Sequence, residues 1–512
     1  MSRTAVALSL LALAVGPPLA LAEDAPLSPE VVALQKAVQQ AIERAEPSIA
    51  CILVSRSEEY AAKYPKFAPH NDGSGRLGAF DSRPFIPANT GFRGRPTDED
   101  VRNRKKVEAL DLSLPDTVPE SFGSGVVIDA SGLVLTNAHV VRDATKVYVR
   151  LPGKSGSWAD IHALDPRSDL AVLKLLEPPE GLKAIKLGDG DKVKVGQFVV
   201  SLANPFAAGF RDGNPSASWG IIGNVKRRAP GNPNEVERSK QTIHEFGTLL
   251  QTDVRLTLGC SGGALLNLDG EMIGLTTATA ALSGSETPGG YALPMDAGLR
   301  RVIEVLKRGE EVEYGFLGVQ MSQNPPAGDR GVVIEGCPPG MPAASVGLRP
   351  GDVIVAVDGK PVKDNDDLFV LIGLGLAGNK ARIDVVRGGR SETVTAVLAK
   401  FFVPGSVIAS KRPPARGGLR VDYTSVLVQR PMGPFGRQPI LDGVAIREVL
   451  PNSPADKAGL QKDKIIQEVN GQRVRTPKDY YAAMAKAGGE VELKVLSFDG
   501  RQSESVRIEN KN

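Results

Sequence analysis

The sequence predicts a mainly β protein of several domains, and three observations carry that prediction. The 512 residues leave room for about three domains of ordinary size. Glycine (56 residues) and proline (38) are frequent while aromatic residues make up 5%, which favours short strands joined by turns over long helices. From Ser121 to about Ala280, short apolar runs alternate with turn residues, as is typical of β-barrels.

One helix, one strand and a long loop are predicted ahead of the barrel region. Residues 29–45 carry apolar side chains at the spacing of a single helix face, namely Val31, Val32, Leu34, Val38 and Ile42. Residues 47–54 are mostly apolar and predict a first strand. Residues 55–120 are polar and rich in glycine, proline and charge, so we expect a long surface loop there.

The first 22 residues have the pattern of a signal peptide. Arg3 supplies the positive charge, residues 5–15 form the apolar region, and residues 20–22 (Ala-Leu-Ala) form a small-residue cleavage site. An uncleaved membrane anchor is the less favoured alternative, because the apolar run is short for a bilayer span. We therefore expect an exported protein, periplasmic if the source is Gram-negative, with no membrane span after signal removal.

Charge and cysteine content exclude several other classes of function. The net charge is +3, and 24% of the residues are charged, so nothing in the overall composition points to nucleic acid as a partner. The cysteines Cys51, Cys260 and Cys337 are odd in number and far apart, and they form neither a disulfide framework nor a metal-ligand pattern. We expect no metal and no cofactor.

The C-terminal part contains an internal repeat. After a helix expected over about 296–308, residues 331–359 match residues 443–471, including an initial Gly-Val pair, a Pro-Ala pair and a Gly-Leu pair. Repetition of this length predicts two related domains. Residues 411–418, rich in arginine, proline and glycine, predict a linker between the two copies.

Three segments carry residues suited to nucleophilic catalysis. His139 stands at the end of an apolar, strand-like run, and Asp169 comes directly before another such run. Ser261 lies between glycines, which permit a tight turn that aims backbone N–H groups at one point. The chain order His, Asp, Ser is the chymotrypsin-type order. We predict Ser261 as nucleophile, His139 as general base, Asp169 as its orienting acid, and the N–H groups of Gly259 and Ser261 as an oxyanion hole.

With these motifs in place, the chain resembles the HtrA/Deg serine proteases. The matching segments are residues 124–125 (Ser-Gly), 136–140 (Thr-Asn-Ala-His-Val), 168–172 (Ser-Asp-Leu-Ala-Val), 203–206 (Ala-Asn-Pro-Phe), 259–265 (Gly-Cys-Ser-Gly-Gly-Ala-Leu) and 291–294 (Tyr-Ala-Leu-Pro). The resemblance implies a chymotrypsin-like double β-barrel protease domain followed by two PDZ-like α+β domains. It also implies unfolded or misfolded polypeptides as substrates, peptide C-termini as PDZ ligands, and a trimer-based homo-oligomer.

The resemblance divides the chain into five parts. They are a signal peptide over 1–22, a trypsin-like protease domain over 23–310, a first PDZ domain over 311–402, a linker over 403–417 and a second PDZ domain over 418–512. In the first PDZ-like domain, the expected carboxylate-binding loop is Phe316, Leu317, Gly318 and Val319. In the second, Arg420 replaces the glycine, so peptide capture there is less secure.

The chain also departs from the family pattern. Family members usually carry Asn-Pro-Gly-Asn before the nucleophile, where residues 257–260 here read Thr-Leu-Gly-Cys. Gly259 is kept, but the changed lead-in leaves loop geometry and activation open. A proteolytically silent chaperone or peptide-binding scaffold therefore stands as the alternative function, with a serine esterase as a weaker third. The role of Cys260 stays open as well.

Other titratable residues are given structural or surface roles. Asp253 ranks below Asp169 as the triad acid, because Asp169 lies in the matched motif. His70 and His244 are expected to be solvated, and His162 to be a surface or structural residue. No acidic residue occurs in residues 273–281, so we expect cleavage after small or aliphatic residues rather than after arginine or lysine.

Overall fold

The computed structural model describes residues 28–56, 111–115, 117–228, 242–277, 289–322, 331–429, 441–497 and 502–510. Two closed β-barrels are followed by two smaller domains, which confirms the predicted mainly β class and the double barrel. The predicted signal peptide and most of the predicted loop over 55–120 lie outside the described residues. No helix in the described ranges is long and apolar enough to cross a membrane.

The first barrel follows a helix with the predicted bounds, α1 (Pro29–Ala45). Its strands are β1 (Ile49–Ser55), β2 (Ser121–Asp129), β3 (Leu133–Asn137), β4 (Lys146–Arg150), β5 (Gly156–Asp165) and β6 (Leu170–Leu175), with α2 (Ala138–Val141) after β3. β1 starts at Ile49 because a 3-10 turn, Glu46–Ser48, comes first. The strand order is β5-β4-β1-β2-β3-β6, and β5 also pairs with β6 to close the barrel.

The second barrel is built from the next six strands. They are β7 (Phe198–Ala203), β8 (Ser216–Arg227), β9 (Leu249–Thr252), β10 (Ala264–Leu266), β11 (Met272–Thr277) and β12 (Gly290–Pro294), closed in the order β10-β11-β12-β9-β8-β7. Helix α3 (Ala297–Lys307) follows and is capped by Asp296, whose side chain accepts from the Leu299 N–H. Its apolar face joins a core that takes side chains from both barrels, so α3 seals the seam between them.

Each copy of the repeat folds as a small α+β domain with a five-strand path. The first repeat domain contains β13 (Gly315–Phe316), β14 (Gln320–Met321), β15 (Val332–Gly336), α4 (Pro342–Ser345), β16 (Val353–Val357), β17 (Lys360–Pro361), α5 (Asn365–Gly373), β18 (Lys380–Arg387), β19 (Arg390–Val397) and β20 (Ala399–Lys400). Its sheet runs β14-β15-β16-β18-β19, with β17 beside β16, while β13 pairs with β20.

The second repeat domain has the same path, preceded by a short connecting strand, β21 (Ile408–Ala409). Its elements are β22 (Leu419–Tyr423), α6 (Ser425–Gln429), β23 (Val444–Val449), α7 (Pro454–Lys457), β24 (Ile465–Val469), β25 (Gln472–Arg473), α8 (Pro477–Lys486), β26 (Glu490–Leu496) and β27 (Ser503–Glu509). The strand order β22-β23-β24-β26-β27 matches that of the first copy, as the sequence repeat predicts.

The first repeat domain is fixed to the barrels by a buried arginine among aromatic rings. The Arg167 guanidinium carbon lies 4.1 Å from the ring centre of Phe401 and 4.7 Å from that of Phe369. Phe369, on α5, also stacks on Phe246 with ring centres 4.2 Å apart. Cation–π contacts strengthen when they are shielded from water, and Arg167 is only 5% exposed. The loop that carries Arg167 is therefore held from both domains.

The predicted linker returns to the first barrel before the second repeat domain begins. Strand β21 pairs antiparallel with the end of β5, as Ile408 opposite Leu164 and Ala409 opposite Ala163. Beside it, His162 contacts the carbonyl oxygen of Lys307 through Nε2 at 3.1 Å and the hydroxyl of Ser410 through Nδ1 at 2.8 Å. His162 is a structural residue, one of the two roles that the sequence analysis gave it.

An ion cluster joins the two repeat domains. The ammonium of Lys400, 5% exposed at its side chain, lies 2.7 Å from Glu311 and 2.9 Å from Asp422. Arg447 lies 2.6 Å from the other Glu311 oxygen and 3.2 Å from Asp422. Because each carboxylate faces two cations, the cluster compensates charges that would otherwise be costly to bury.

Replacing Lys400 should destabilise the chain far more than replacing an exposed lysine. In Lys400→Met the carboxylates of Glu311 and Asp422 lose one of their cations, so we expect a loss of about 3 kcal/mol in the free energy of unfolding. Lys494→Met breaks the more exposed pair with Glu468, 3.3 Å long, and should cost less than about 1 kcal/mol. Urea unfolding followed by circular dichroism measures both, and equal losses would contradict the expectation.

Candidate active site

His139 is placed by the end of β3 and the turn of α2. The main-chain oxygen of Asp169 accepts from the backbone N–H of Ala138 at 2.9 Å and from the side-chain amide of Asn137 at 3.2 Å. These bonds bring the start of α2 against the residue directly before β6. The apolar runs that flank both residues in the sequence are paired strands, so their ends meet at one edge of the barrel.

His139 and Asp169 make a two-point contact. The imidazole Nδ1 lies 2.7 Å from Oδ2 of Asp169, and the backbone N–H of His139 donates to Oδ1 at 2.9 Å. A carboxylate at Nδ1 keeps the ring proton there and leaves Nε2 as the basic nitrogen. Nε2 of His139 is buried and has no hydrogen-bond partner among the residues that the structure describes, so it is available to take a proton.

Asp169 is ionised despite its burial. Burial acts to raise its pKa, but the charge and hydrogen bonds of His139, aided by His244, outweigh that effect and hold the pKa below its ordinary value. Its backbone is in the left-handed region, with φ at 52°, a conformation that the bonds from Ala138 and Asn137 hold in place. The carboxylate of Asp169 is therefore held ionised and oriented towards His139.

The loop that carries Ser261 is tied to the first barrel by Ser124, on β2. The Ser124 N–H donates to the carbonyl of Ser261 at 2.8 Å, and its hydroxyl donates to the carbonyl of Gly259 at 2.7 Å. Glycine is required at 262, since φ is +86° and a Cβ would lie 2.1 Å from the Ser124 oxygen. The nucleophile loop thus rests directly on the barrel that holds His139.

The orientation of the peptide bond before Gly259 is set by one hydrogen bond. The Leu258 carbonyl accepts from the Phe206 N–H at 2.7 Å. Because the peptide unit is planar and trans, the Gly259 N–H points away from Phe206. No residue in the described ranges accepts a hydrogen bond from this N–H. Gly259 has φ of +93°, and a Cβ there would lie 2.5 Å from the Asn204 oxygen.

Cys260 is part of the core rather than of the reactive surface. It is buried, its sulfur lies 3.8 Å from the Thr257 hydroxyl, and its carbonyl accepts from the Thr276 hydroxyl at 2.6 Å. Burial raises the pKa of the thiol, which keeps it protonated and poorly nucleophilic at neutral pH. The changed lead-in therefore leaves the loop packed and bonded.

One apolar side chain, Leu256, covers a glycine of β12, the strand that pairs with β11. A Cβ on Gly290 would lie 2.3 Å from Leu256, so the Leu256 side chain sits directly over this glycine. Thr276 and Thr277 on β11 are buried on the neighbouring strand. Asp253, the less favoured candidate for the triad acid, is exposed. Its carboxylate accepts a hydrogen bond from the Ile221 N–H of β8 at 2.7 Å, whereas the contact with His139 is made by Asp169.

The expectation that His244 is solvated is wrong. His244 lies in the 3-10 turn Ile243–Phe246 with a side chain 2% exposed, and its Nε2 is 4.0 Å from Oδ2 of Asp169. Neither ring nitrogen has a hydrogen-bond partner in the described ranges. Its polar neighbours in the sequence, Thr242 and Glu245, suggested a surface position. The apolar residues that alternate with them, Ile243 and Phe246, were the overlooked signal for burial.

The predicted peptide-binding loop lies at one edge of the first repeat domain. Phe316 ends β13, Leu317 is buried with its carbonyl bonded to the Ala343 N–H at 2.9 Å, and Gly318 has φ of +76°. Val319 leads into β14, which has a neighbouring strand on only one side of its sheet. An edge strand of this kind is open to an added peptide strand.

The expectation that Arg420 replaces the loop glycine of the second repeat domain is wrong. Gly418 stands at the place of Gly318, because its φ is +89° and a Cβ there would lie 2.1 Å from Ser453, as a Cβ on Gly318 would lie 2.6 Å from Met341. Arg420 forms an ion pair with Glu448 at 2.7 Å and donates to the Pro413 carbonyl at 3.3 Å. The Gly418 carbonyl accepts from the Leu450 N–H at 2.9 Å. Arg420 lies on β22 opposite Glu448, the position that Gln320 has on β14 opposite Gly336, so its contacts belong to the strand and not to the loop.

Comparisons with known proteins agree with this architecture. The family model of the trypsin-like peptidase domain matches residues 123–275, and two models of the PDZ domain match residues 315–398 and 446–497. Among solved structures, the HtrA-type protease AlgW with decapeptide is 25% identical, covering 74% of this chain and 99% of that chain with a TM-score of 0.45.

Curated relatives extend over most of the chain. The periplasmic pH-dependent serine endoprotease DegQ of Escherichia coli is 31% identical over 407 residues, covering 77% of this chain and 82% of that protein. A probable periplasmic serine endoprotease, DegP-like, of Ectopseudomonas mendocina is 33% identical over 389 residues, covering 73% and 75%. The periplasmic serine endoprotease DegP of Salmonella typhimurium is 30% identical over 363 residues, covering 69% and 70%.

The burial of His244 predicts a pH-dependent stability. Burial lowers the pKa of His244 to about 4, against 6.5 for an unperturbed histidine. Between these values the unfolded chain binds a proton at His244 that the folded chain does not, so stability falls as the pH falls through this window. On going from pH 7 to pH 4.5, His244→Phe should lose about 2 kcal/mol less than the wild type in urea unfolding. Equal losses in the two proteins would show that His244 is not buried in its neutral form.

Proposed function

Because this chain belongs to the HtrA/Deg family of serine proteases, we propose that it is an exported endopeptidase that degrades or processes unfolded and misfolded polypeptides. The observation that carries the chemistry is the 2.7 Å hydrogen bond between His139 and Asp169, beside a bonded nucleophile loop. Relatives named as periplasmic support an exported location, in the periplasm of a Gram-negative bacterium.

Ser261 is the proposed nucleophile and His139 its general base. The Ser261 hydroxyl attacks the scissile carbonyl as its proton passes to Nε2 of His139, which then returns it to the leaving amine. Asp169 holds the ring in the required tautomer and balances the imidazolium charge. Within the described part of the chain Nε2 has no hydrogen-bond partner, which fits a catalytic hydrogen bond that tightens only when substrate is bound.

The backbone N–H groups of Gly259 and Ser261 form the proposed oxyanion hole. Its support is the Leu258 carbonyl, which is held by the Phe206 N–H on the opposite side of the same peptide unit. A fixed N–H aimed at the developing oxyanion costs no reorganisation during the reaction. The same bond supports a loop that is already competent for catalysis, which favours the protease over a silent chaperone or scaffold.

The pocket beside the nucleophile suits small or aliphatic residues. Leu256 lies over Gly290, and the described strand β11 carries no charged residue. Unfolded proteins expose such residues throughout their length, whereas folded proteins bury them. An apolar pocket of limited depth therefore selects for unfolded chains rather than for one particular sequence.

The first PDZ domain is proposed to bind peptide C-termini through Phe316, Leu317, Gly318 and Val319. The added peptide strand would lie along β14, next to helix α5. The Asn365 amide at the start of α5 donates to the Ser322 carbonyl at 3.0 Å, which keeps the helix beside this edge. We assign the protease domain to 23–310, the two PDZ domains to 311–402 and 418–512, and the assembly to a trimer-based homo-oligomer.

Replacing the nucleophile tests the proposed chemistry. Ser261→Ala should abolish cleavage of an unfolded, reduced protein, since the remaining oxyanion donors leave only a small fraction of the rate. Ser124→Ala, which loosens the loop but keeps the nucleophile, should retain part of the activity. Release of fragments from a fluorescently labelled unfolded protein measures all three enzymes.

Each outcome of that experiment is informative. Cleavage by Ser261→Ala at the wild-type rate would refute the nucleophile. Failure of the wild type itself, with C-terminal peptides added as activators, together with suppressed aggregation of the unfolded protein, would establish the chaperone reading instead.

Peptide capture by the first PDZ domain has its own test. Gly318→Val places a branched side chain at φ of +76°, with a Cβ 2.6 Å from Met341, and should abolish binding of a labelled peptide that ends in an apolar residue with a free carboxylate. Gly347→Val is the matched control, because Gly347 has a similar φ of +78° with nothing within 4 Å of a Cβ. Fluorescence anisotropy should also show no binding of the C-terminally amidated peptide, and equal binding of both peptides would rule out carboxylate capture.

A further inference from the structure

A second imidazole lies behind the catalytic aspartate. His244 belongs to a turn that is pinned to the Asp169 loop, because the Ile243 N–H donates to the Arg167 carbonyl at 2.9 Å. The Thr248 hydroxyl donates to the Ile243 carbonyl at 2.9 Å and closes the turn. These bonds hold the main chain of His244 close to that of Asp169, while the imidazole can still turn about its side-chain bonds.

Packing alone does not account for a histidine at this position. The side chain is 2% exposed, and no described residue makes a hydrogen bond to either ring nitrogen. Burying an imidazole in this way is unfavourable, and an apolar side chain would fill the space without that cost. The polar group that the ring does approach is the carboxylate of Asp169.

The approach has the geometry of an incomplete hydrogen bond. Nε2 of His244 is 4.0 Å from Oδ2, the oxygen that also accepts from Nδ1 of His139. A carboxylate oxygen accepts two hydrogen bonds, so Oδ2 has room for both donors. A movement of about 1 Å would bring Nε2 into hydrogen-bonding range.

We propose that His244 is a positioning residue of the triad, which donates its Nε2–H to Oδ2 of Asp169 when His139 takes up the Ser261 proton. This inference rests on the triad proposed above. In that step the carboxylate of Asp169 must stay ionised and oriented towards the new imidazolium of His139. A second N–H on the same oxygen holds the plane of the carboxylate and leaves the Oδ1 bond to the His139 backbone intact.

The role requires a neutral His244, and its surroundings supply that condition. Burial lowers the pKa of His244 to about 4, and the nearby His139 acts in the same direction. The negative charge of Asp169 acts to raise this pKa but does not outweigh the burial. A protonated His244 would instead compete with His139 for the aspartate. His244 can therefore act as a neutral donor to Asp169 only at pH values above its own pKa.

Replacing His244 should lower the rate of the chemical step. In His244→Phe we expect kcat to fall roughly tenfold, the effect of one hydrogen bond to a charged group, with KM within about twofold of the wild type. The acidic limb of the kcat/KM profile should move to lower pH, since the hydrogen bond that forms when His139 is protonated no longer favours that protonation. Hydrolysis of a fluorogenic peptide across the pH range measures both effects in the full chain.

Two further variants separate positioning from folding. His244→Gln keeps an N–H donor on a side chain that does not titrate, so it should recover most of the lost kcat and most of the shift in the acidic limb. His162→Phe removes the structural histidine held by Lys307 and Ser410 and should leave the acidic limb unchanged. Thermal unfolding of each variant identifies any loss caused by misfolding.

The outcomes distinguish this proposal from the triad itself. If Ser261→Ala is inactive and a folded His244→Phe keeps kcat within twofold and the same acidic limb, His244 has no positioning role. The same conclusion holds if His244→Gln is as impaired as His244→Phe. If Ser261→Ala retains activity, the triad assignment fails first, whatever the His244 variants do.

Discussion

The buried carboxylate of Asp169 is the constraint on which the rest of the site depends. A charge shielded from water has to be matched by donors and opposite charge, and here the donors come from the backbone and the ring of His139. Its main-chain oxygen in turn holds the start of α2. Two residues earlier, Arg167 gathers aromatic rings of the first PDZ domain and anchors the turn of His244. One short loop thus organises the catalytic histidine, the domain contact and the second imidazole.

Local sequence patterns predicted a large part of the fold and the site. Helix α1 has the predicted bounds because its apolar spacing, its proline at the first turn and its boundary are all encoded within one segment. The contact between His139 and Asp169 was foreseeable because each residue flanks a strand, and paired strands align their ends. The repeated sequence likewise gave two domains with one strand order, since the same pattern of apolar residues buries the same faces.

Features that depend on contacts between distant segments could not be foreseen in this way. The burial of His244 depends on Phe246 meeting Phe369 of another domain, about which the residues around His244 carry no information. The sequence likewise gives no sign of the ion cluster between the two repeat domains. Its members look like four ordinary surface charges, namely Glu311, Lys400, Asp422 and Arg447. Arg167 likewise carries no sign of the rings that surround it. Tertiary packing, rather than local preference, decides the environment of such polar residues.

The strand β21 has a consequence for the order in which the chain is assembled. The first barrel closes through β5 and β6 alone, so it can form before the residues that follow are synthesised. Until β21 arrives from a point far along the chain, the end of β5 at Ala163 and Leu164 presents unpaired backbone groups to the surroundings. Such an edge is a template for association with other nascent chains. The pairing with β21 therefore covers, in the finished fold, a strand edge of the protease domain that would otherwise be open to other chains.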